Sequence, residues 1–202
     1  HYPPWRLQGE ALRDAMLACS GELHRRMFGP SSRPELPPNL SRYAWKPDPR
    51  PEDRNRRSIY LYVKRNCKYP LLEVFDQPDL FNSCARRAQT TTAPQALCLL
   101  NGEFARQRAI AWAERLLQRY GDSDDLLVEH AWRQALGRPP RDQERLLALR
   151  FIHETQEQLA REQALPADGE TVQRRLQNAP RLAAIAELCH ALFNTNEFLY
   201  VD

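Results

Sequence analysis

Cys84 stands just ahead of Arg86 and Arg87, and Thr90, Thr91 and Thr92 follow. Guanidinium groups near a thiol favour the thiolate, the nucleophilic form of cysteine. Three hydroxyls in a row could hydrogen-bond a substrate. The same residues have plain structural uses. With no histidine or acid partner evident nearby, Cys84 also reads as a packed or disulfide-bonded side chain beside solvated arginines. Thr92, with Pro94 in the following turn and Gln95 three positions on, has the pattern of a helix-capping box. Asp76 and Asp79 in "FDQPDLF" offer two carboxylates, although acids beside proline are commonly turn formers. Asp76 is expected to pair with an arginine, Arg87 or Arg57, in bidentate geometry. Arg57, Asp76, Cys84, Arg87, Thr92 and Gln95 therefore make up the candidate polar cluster. Two arrangements are open: a satisfied internal salt bridge, or an arginine left facing a cleft to take a carboxylate or sulfate.

Other chemistries find less support. His24, His130, His153 and His190 fall on four different predicted helices, and no HExxH spacing joins any two. The five cysteines, Cys19, Cys67, Cys84, Cys98 and Cys189, show neither CxxC nor CxxCH. No metal site and no haem-attachment site is expected, and no cofactor in this chain. An odd cysteine count speaks against a full disulfide framework, though one bridge through Cys67 or Cys84 would suit an exported protein. Seven glycines are poor material for a phosphate-binding loop.

The elements that must position the cluster are mainly helical. Leu12, Met16, Cys19, Leu23 and Met27 recur at helical spacing and predict a first helix over 8–27, stopped by Gly29-Pro30. Residues 28–55 hold seven prolines and read as a surface strap anchored by Tyr43 and Trp45, or as a linker. "RSIYLYVK" at 57–64 alternates like a strand, with a short helix as the rival reading. From residue 93 onward the pattern is helical. Leu97, Leu99 and Leu100 are expected in the core, followed by helices near 103–120, 124–136, 141–163 and 180–194. The stretch 165–178 is polar and is expected to be flexible. Phe198, Leu199 and Tyr200 should dock the C-terminal end. The expected fold is thus mainly α: a bundle of five to six helices with a Pro-rich strap and at most one short strand or hairpin.

The chain has 202 residues, 42% hydrophobic and 27% charged, which suits one globular domain. Within it, 1–27 is the first helix, 28–70 a basic arm and 71–202 a helical body. No apolar run approaches a membrane span. The first residues show no initiator Met and no signal-type apolar run, as expected of a trimmed or processed piece. The net charge of +3 conceals an asymmetry, because residues 1–70 carry 14 Arg and Lys against 7 Asp and Glu. Such an arm could meet nucleic acid, an anionic polymer or an acidic protein face, or fold back on its own acidic body.

The strings "WRLQGEALRDAMLACSG", "RRSIYLYVKRN", "FDQPD", "SCARRAQTTTAPQALCLLN", "ALGRPPRDQE" and "NTNEFLYVD" occur in that order. Together they resemble the planctomycete-specific C-terminal domain of unknown function, in its later part only. The matching positions include Arg57, Ser58, Tyr60, Phe75, Asp76, Cys84 and Arg87, then Thr91, Gln95 and Asn101, and finally Asn196 to Leu199. In that family the domain usually follows a cytochrome-c-like domain in large exported proteins. The resemblance implies a periplasmic or extracellular setting. It also implies other domains or chains of a cytochrome-c-containing protein as partners, and a c-type haem, if any, on those partners.

Three function classes follow. The first is a non-haem helical binding or scaffold module of such a protein. The second is part of a polysaccharide-processing or oxidising enzyme with its site around 57–101, where an anionic polysaccharide would be the partner. The third and weakest is a nucleic-acid-binding module.

Overall fold

The computed structural model describes residues 5–38, 40–162 and 179–201. The polar stretch 165–178 lies outside the described residues. The backbone groups into two compact units, His1–Asn101 with Leu199–Asp202, and Gly102–Phe198.

The first unit is rich in loops. Its longest helix, α1 (Gly9–Ser20), buries Leu12, Met16 and Leu17. It is shorter than the apolar periodicity suggests. Gly21 adopts a left-handed conformation with φ 79° and closes the helix, and the Glu22 and Leu23 amides turn back to the Leu17 carbonyl at 2.9 and 3.0 Å. This is a glycine C-cap, so Leu23 and Met27 continue the pattern without continuing the helix. His24 is accordingly in extended chain, bridged to Arg56.

The strap is held down at Trp45, which is buried, donates to the Pro34 carbonyl at 2.8 Å and meets Tyr62 edge-on. A short helix, α2 (Pro51–Arg54), follows. The predicted strand at 57–64 is instead a 3-10 turn over Ser58–Tyr60. Its first amide, on Ser58, donates to Asp14 Oδ1 at 2.8 Å. Ile59 and Val63 are exposed while Leu61 is buried, so the alternating residues do not share one buried face. The segment's backbone partner is Ser32 of the strap, bonded to Tyr60 and Tyr62 at 2.7 Å each. The antiparallel pair of the described structure lies elsewhere: β1 (Trp5–Arg6) against β2 (Tyr200–Val201), with Trp5 opposite Val201. The chain's final segment is thereby docked, and Phe198 is buried.

Helices α3 (Pro70–Val74) and α4 (Ala93–Asn101) complete the first unit. Leu71, Leu72 and Phe75 pack with α1, and Leu99 joins the core. Leu97 and Leu100 do not, being 55% and 52% exposed. The helix presents only one narrow face inward, and these two leucines flank it.

The second unit is a bundle of α5 (Glu103–Tyr120), α6 (Asp124–Leu136), α7 (Asp142–Glu162) and α8 (Pro180–Phe193). Ser123 caps α6 through the Leu126 amide, and left-handed Gly137 ends it. Helix α8 packs against α5, α6 and α7 and is buried on almost every side, from Ala183 to Phe193, as a central helix must be. Trp112 stacks on Phe193, and Phe193 meets Phe198 of α9 (Asn196–Leu199). Phe151 on α7 is 39% exposed.

Candidate functional site

Asp76 follows α3 and has a positive φ of 61°, which aspartate tolerates better than most residues. This turn aims its carboxylate at β1. Arg6 Nη2 donates to Oδ2 at 2.5 Å, and the Arg6 side chain is only 6% exposed. Thr90 adds its amide at 2.9 Å and its hydroxyl at 2.8 Å. Burial alone would raise the carboxyl's pKa, but the two Thr90 bonds and then Arg6 overcome it and hold the group below the usual aspartate range. Gln95 is buried and donates to the Val74 carbonyl and Thr90 Oγ1, both at 3.1 Å, while its Oε1 accepts the Thr92 amide at 3.1 Å. Gln89 reaches the Arg6 carbonyl at 2.9 Å.

The predicted cluster is thus partly assembled and partly dispersed. Asp76, Gln95 and the backbone of Thr92 converge. The arginine on Asp76 is Arg6, neither Arg87 nor Arg57. Arg87 instead reaches farther along the N-terminal segment that carries Arg6, holding Glu10 at 2.9 Å and Gln8 at 3.0 Å. Arg57 is exposed, and its neighbour Arg56 is the buried one. Cys84 is exposed, and its thiol donates to the carbonyl of Arg86 at 3.2 Å. No hydrogen bond or ion pair among the described residues joins Cys84 or Arg57 to Asp76. Asp79 accepts from the Phe81 amide and the Asn82 side chain, so it is a turn former. Sequence reasoning missed Arg6, whose partner is 70 positions away with nothing local to announce it. The Asp76 network therefore ties β1, α3 and α4 together, with its carboxylate already taken up by donors. All five cysteines are free, and no group of three or more potential metal ligands gathers among the described residues.

The second unit carries an open groove of about 480 Å³. Its apolar walls are Trp132 of α6, Leu147, Ala148 and Phe151 of α7, and Leu188 and Ala191 of α8. Glu144, Arg150 and Glu154 supply the charged lining. Arg150 pairs with Glu154 at 2.6 Å one turn on. Glu144 is fixed by Arg138 at 2.7 Å, and Arg138 also grips Glu197 at 2.6 Å. The charges are thus paired among themselves, while Leu147 remains 64% exposed. Such a surface suits apolar contact better than acid–base work. The visible signal in the sequence was "RLLALRF", in which too many consecutive positions are apolar for one buried stripe.

No helix among the described residues is long and apolar enough to cross a membrane. No curated protein and no solved structure matches the chain. The profile of one family matches residues 1–152, which takes in α1 to α6 and half of α7 and leaves α8 outside. By that match, and in keeping with the planctomycete-type resemblance, the chain belongs to the family described as PSD1, protein of unknown function (DUF1553).

Proposed function

We propose that this chain is a non-haem helical binding or scaffold module of an exported protein linked to a c-type cytochrome. The groove of the second unit is its docking surface for a neighbouring haem-bearing domain or chain. The observation that carries this is the groove itself: Leu147 and Phe151 stand exposed over an apolar floor of Ala148, Leu188 and Ala191. Exposed contiguous apolar surface with paired charges beside it is how docking sites look. The haem-bearing partner and the periplasmic or extracellular setting rest on the family resemblance. An enzymatic role at 57–101 has less support, since Asp76 is occupied by Arg6 and Thr90 and no hydrogen bond among the described residues joins it to Cys84.

The test is co-expression of this chain with a cytochrome-c-like domain of its family's parent proteins, followed by size exclusion monitored at the haem Soret band. A complex is expected to co-elute. Leu147→Asp and Phe151→Asp should each weaken it by about tenfold or more, as loss of an interface anchor does. Both side chains are exposed, so both variants should fold. Absence of a complex at micromolar concentrations, or a complex indifferent to both substitutions, overturns the reading.

A further inference from the structure

The turn 26–30 is built around one guanidinium group. Arg56 is 1% exposed. Its Nη2 donates to the carbonyls of Arg26 and Phe28 at 3.3 and 2.5 Å, and its Nη1 to that of Pro30 at 2.6 Å. The guanidinium lies over the ring of Tyr60, 4.2 Å from its centre. The Tyr60 hydroxyl in turn accepts the Phe28 amide at 3.1 Å. Both polar groups of the Phe28 backbone are therefore held, and held in a strained conformation: φ is 61° at Phe28 and 90° at Gly29. Left-handed backbone costs free energy for a bulky residue, and it persists only where the surroundings enforce it. A phenylalanine would ordinarily offset that cost by burying its ring. Phe28 instead is 76% exposed, Ile59 beside Tyr60 is 76% exposed, and Met27 is 59% exposed. A buried arginine, an aromatic hydroxyl and backbone strain all serve to hold an aromatic ring out in water.

We propose that Phe28, with Met27 and Ile59, is a pre-formed anchor for a partner protein whose receiving surface is an apolar pocket bordered by Asp and Glu. The sign of the border comes from the arginines. The parallel bridge between His24 and Arg56 sets their segments side by side, so Arg25 and Arg57 leave it together. Both are exposed, and neither side chain has a hydrogen bond or ion pair among the described residues. Arg26 adds a third, 45% exposed, over its pair with Asp53 at 3.5 Å. The apolar trio selects protein over polyanion, since a sugar or phosphate backbone has no pocket for methionine and isoleucine. Holding the ring in advance removes an ordering cost from binding.

The chain should be panned against a displayed library of random peptides, and the recovered sequences made synthetically and titrated by fluorescence anisotropy. Expected are peptides with Leu, Ile or Phe flanked by Asp and Glu. Their affinity should fall about tenfold or more in Phe28→Gly, and severalfold in Arg25→Ser with Arg57→Ser or when salt is raised. Glycine adopts this backbone freely, so Phe28→Gly should keep or raise the melting temperature while losing the peptide. A structural role alone would not give that combination. Ile59→Ser is the second variant, should Phe28→Gly fold poorly. Binding must persist in Phe151→Asp, which separates this surface from the groove. No enrichment, enrichment without acids, or equal binding by Phe28→Gly and Ile59→Ser overturns the proposal. So does self-association of the wild type that Phe28→Gly abolishes, which would make the occupant a second copy.

Discussion

Replacing Glu144 by Gln keeps the side chain's shape and removes its charge. Glu144 lies in the first turn of α7, where it accepts the Arg141 amide at 2.7 Å and both terminal nitrogens of Arg138 at 2.7 Å. The Arg138 bonds chiefly, against the opposing effect of burial and with help from the Arg141 amide, hold the carboxyl at about 2 against an ordinary 4.5. A depression of that size corresponds to about 3 kcal/mol of linkage free energy. Glu144 is 29% and Arg138 25% exposed, so solvent screens part of it, leaving about 1–2 kcal/mol. Because the folded pKa lies below the unfolded one, the stabilisation is complete above the ordinary glutamate pKa. It is lost as the pH falls towards the folded value. Glu144→Gln should therefore melt about 4–8 °C lower per kcal/mol at neutral pH, for a unit of this size. The gap should close as the pH approaches 2. Thermal unfolding followed by helical circular dichroism across the acid range measures both. An undiminished melting temperature at neutral pH, or a deficit that survives full acidification, would refute the reasoning.

Three further outcomes are expected. Gly9→Ala should destabilise the first unit by about 1–3 kcal/mol, because the added Cβ would meet Phe75 Cβ at 3.0 Å and Leu72 Cδ2 at 3.1 Å; urea unfolding measures it, and a gain from helix propensity would contradict the packing. Asp76→Asn should cost about 3 kcal/mol by leaving Arg6 buried without its counter-charge, and the wild type should lose this advantage as acid protonates Asp76 below the usual aspartate range; equal acid limbs for the two proteins would count against the pairing. Gln95→Ala should cost about 2 kcal/mol through its unsatisfied partners, whereas Thr92→Ala should cost less than the roughly 1 kcal/mol of a lost hydroxyl cap, since Thr92 enters the network through its amide; paired melting curves that ranked the two the other way would restore the hydroxyl cap.

Much of the helical architecture was legible because it depends on local rules. The bounds of α5 and α6 follow from Gly121, Ser123 and Gly137, residues whose backbone and capping preferences act within one turn. The same rules contain the stop at Gly21. It was masked by Leu23 and Met27, which continue the apolar spacing through a chain that has already left the helix. Periodicity reports which residues avoid water, and Met27 shows that an extended chain can mimic it. The 57–64 segment fails for a related reason. Alternation predicts a strand only where a ladder exists, and here Ser32 supplies a single bridge while Asp14 fixes the start of a 3-10 turn. The site was half legible. Asp76 and Gln95 were identified from turn and capping chemistry, and both are central to the network. Arg6 and the strained Phe28 were not, because contact across 70 residues and a left-handed phenylalanine leave no local trace.

The arginines of the first unit connect these observations. Arg6, Arg13 and Arg56 are all buried. Arg13 reaches the Arg54 and Arg56 carbonyls at 2.8 and 3.0 Å and the Ser58 hydroxyl at 3.2 Å, while Arg56 gathers the carbonyls of 26, 28 and 30. Among its described residues this unit has two helices of nine or more residues, α1 and α4. Much of its backbone lies in loops that cannot satisfy their own carbonyls, and buried carbonyls left unpaired are costly. A planar fork with five donors serves several carbonyls from one position, which a lysine ammonium on a flexible stem does poorly. The arginine-rich composition of the basic arm is therefore partly architectural, with guanidinium groups standing in for a ladder. The charge that remains available to a partner is smaller than the sequence total implies and is local. It includes Arg25 and Arg57, exposed on the two segments that Arg56 draws together.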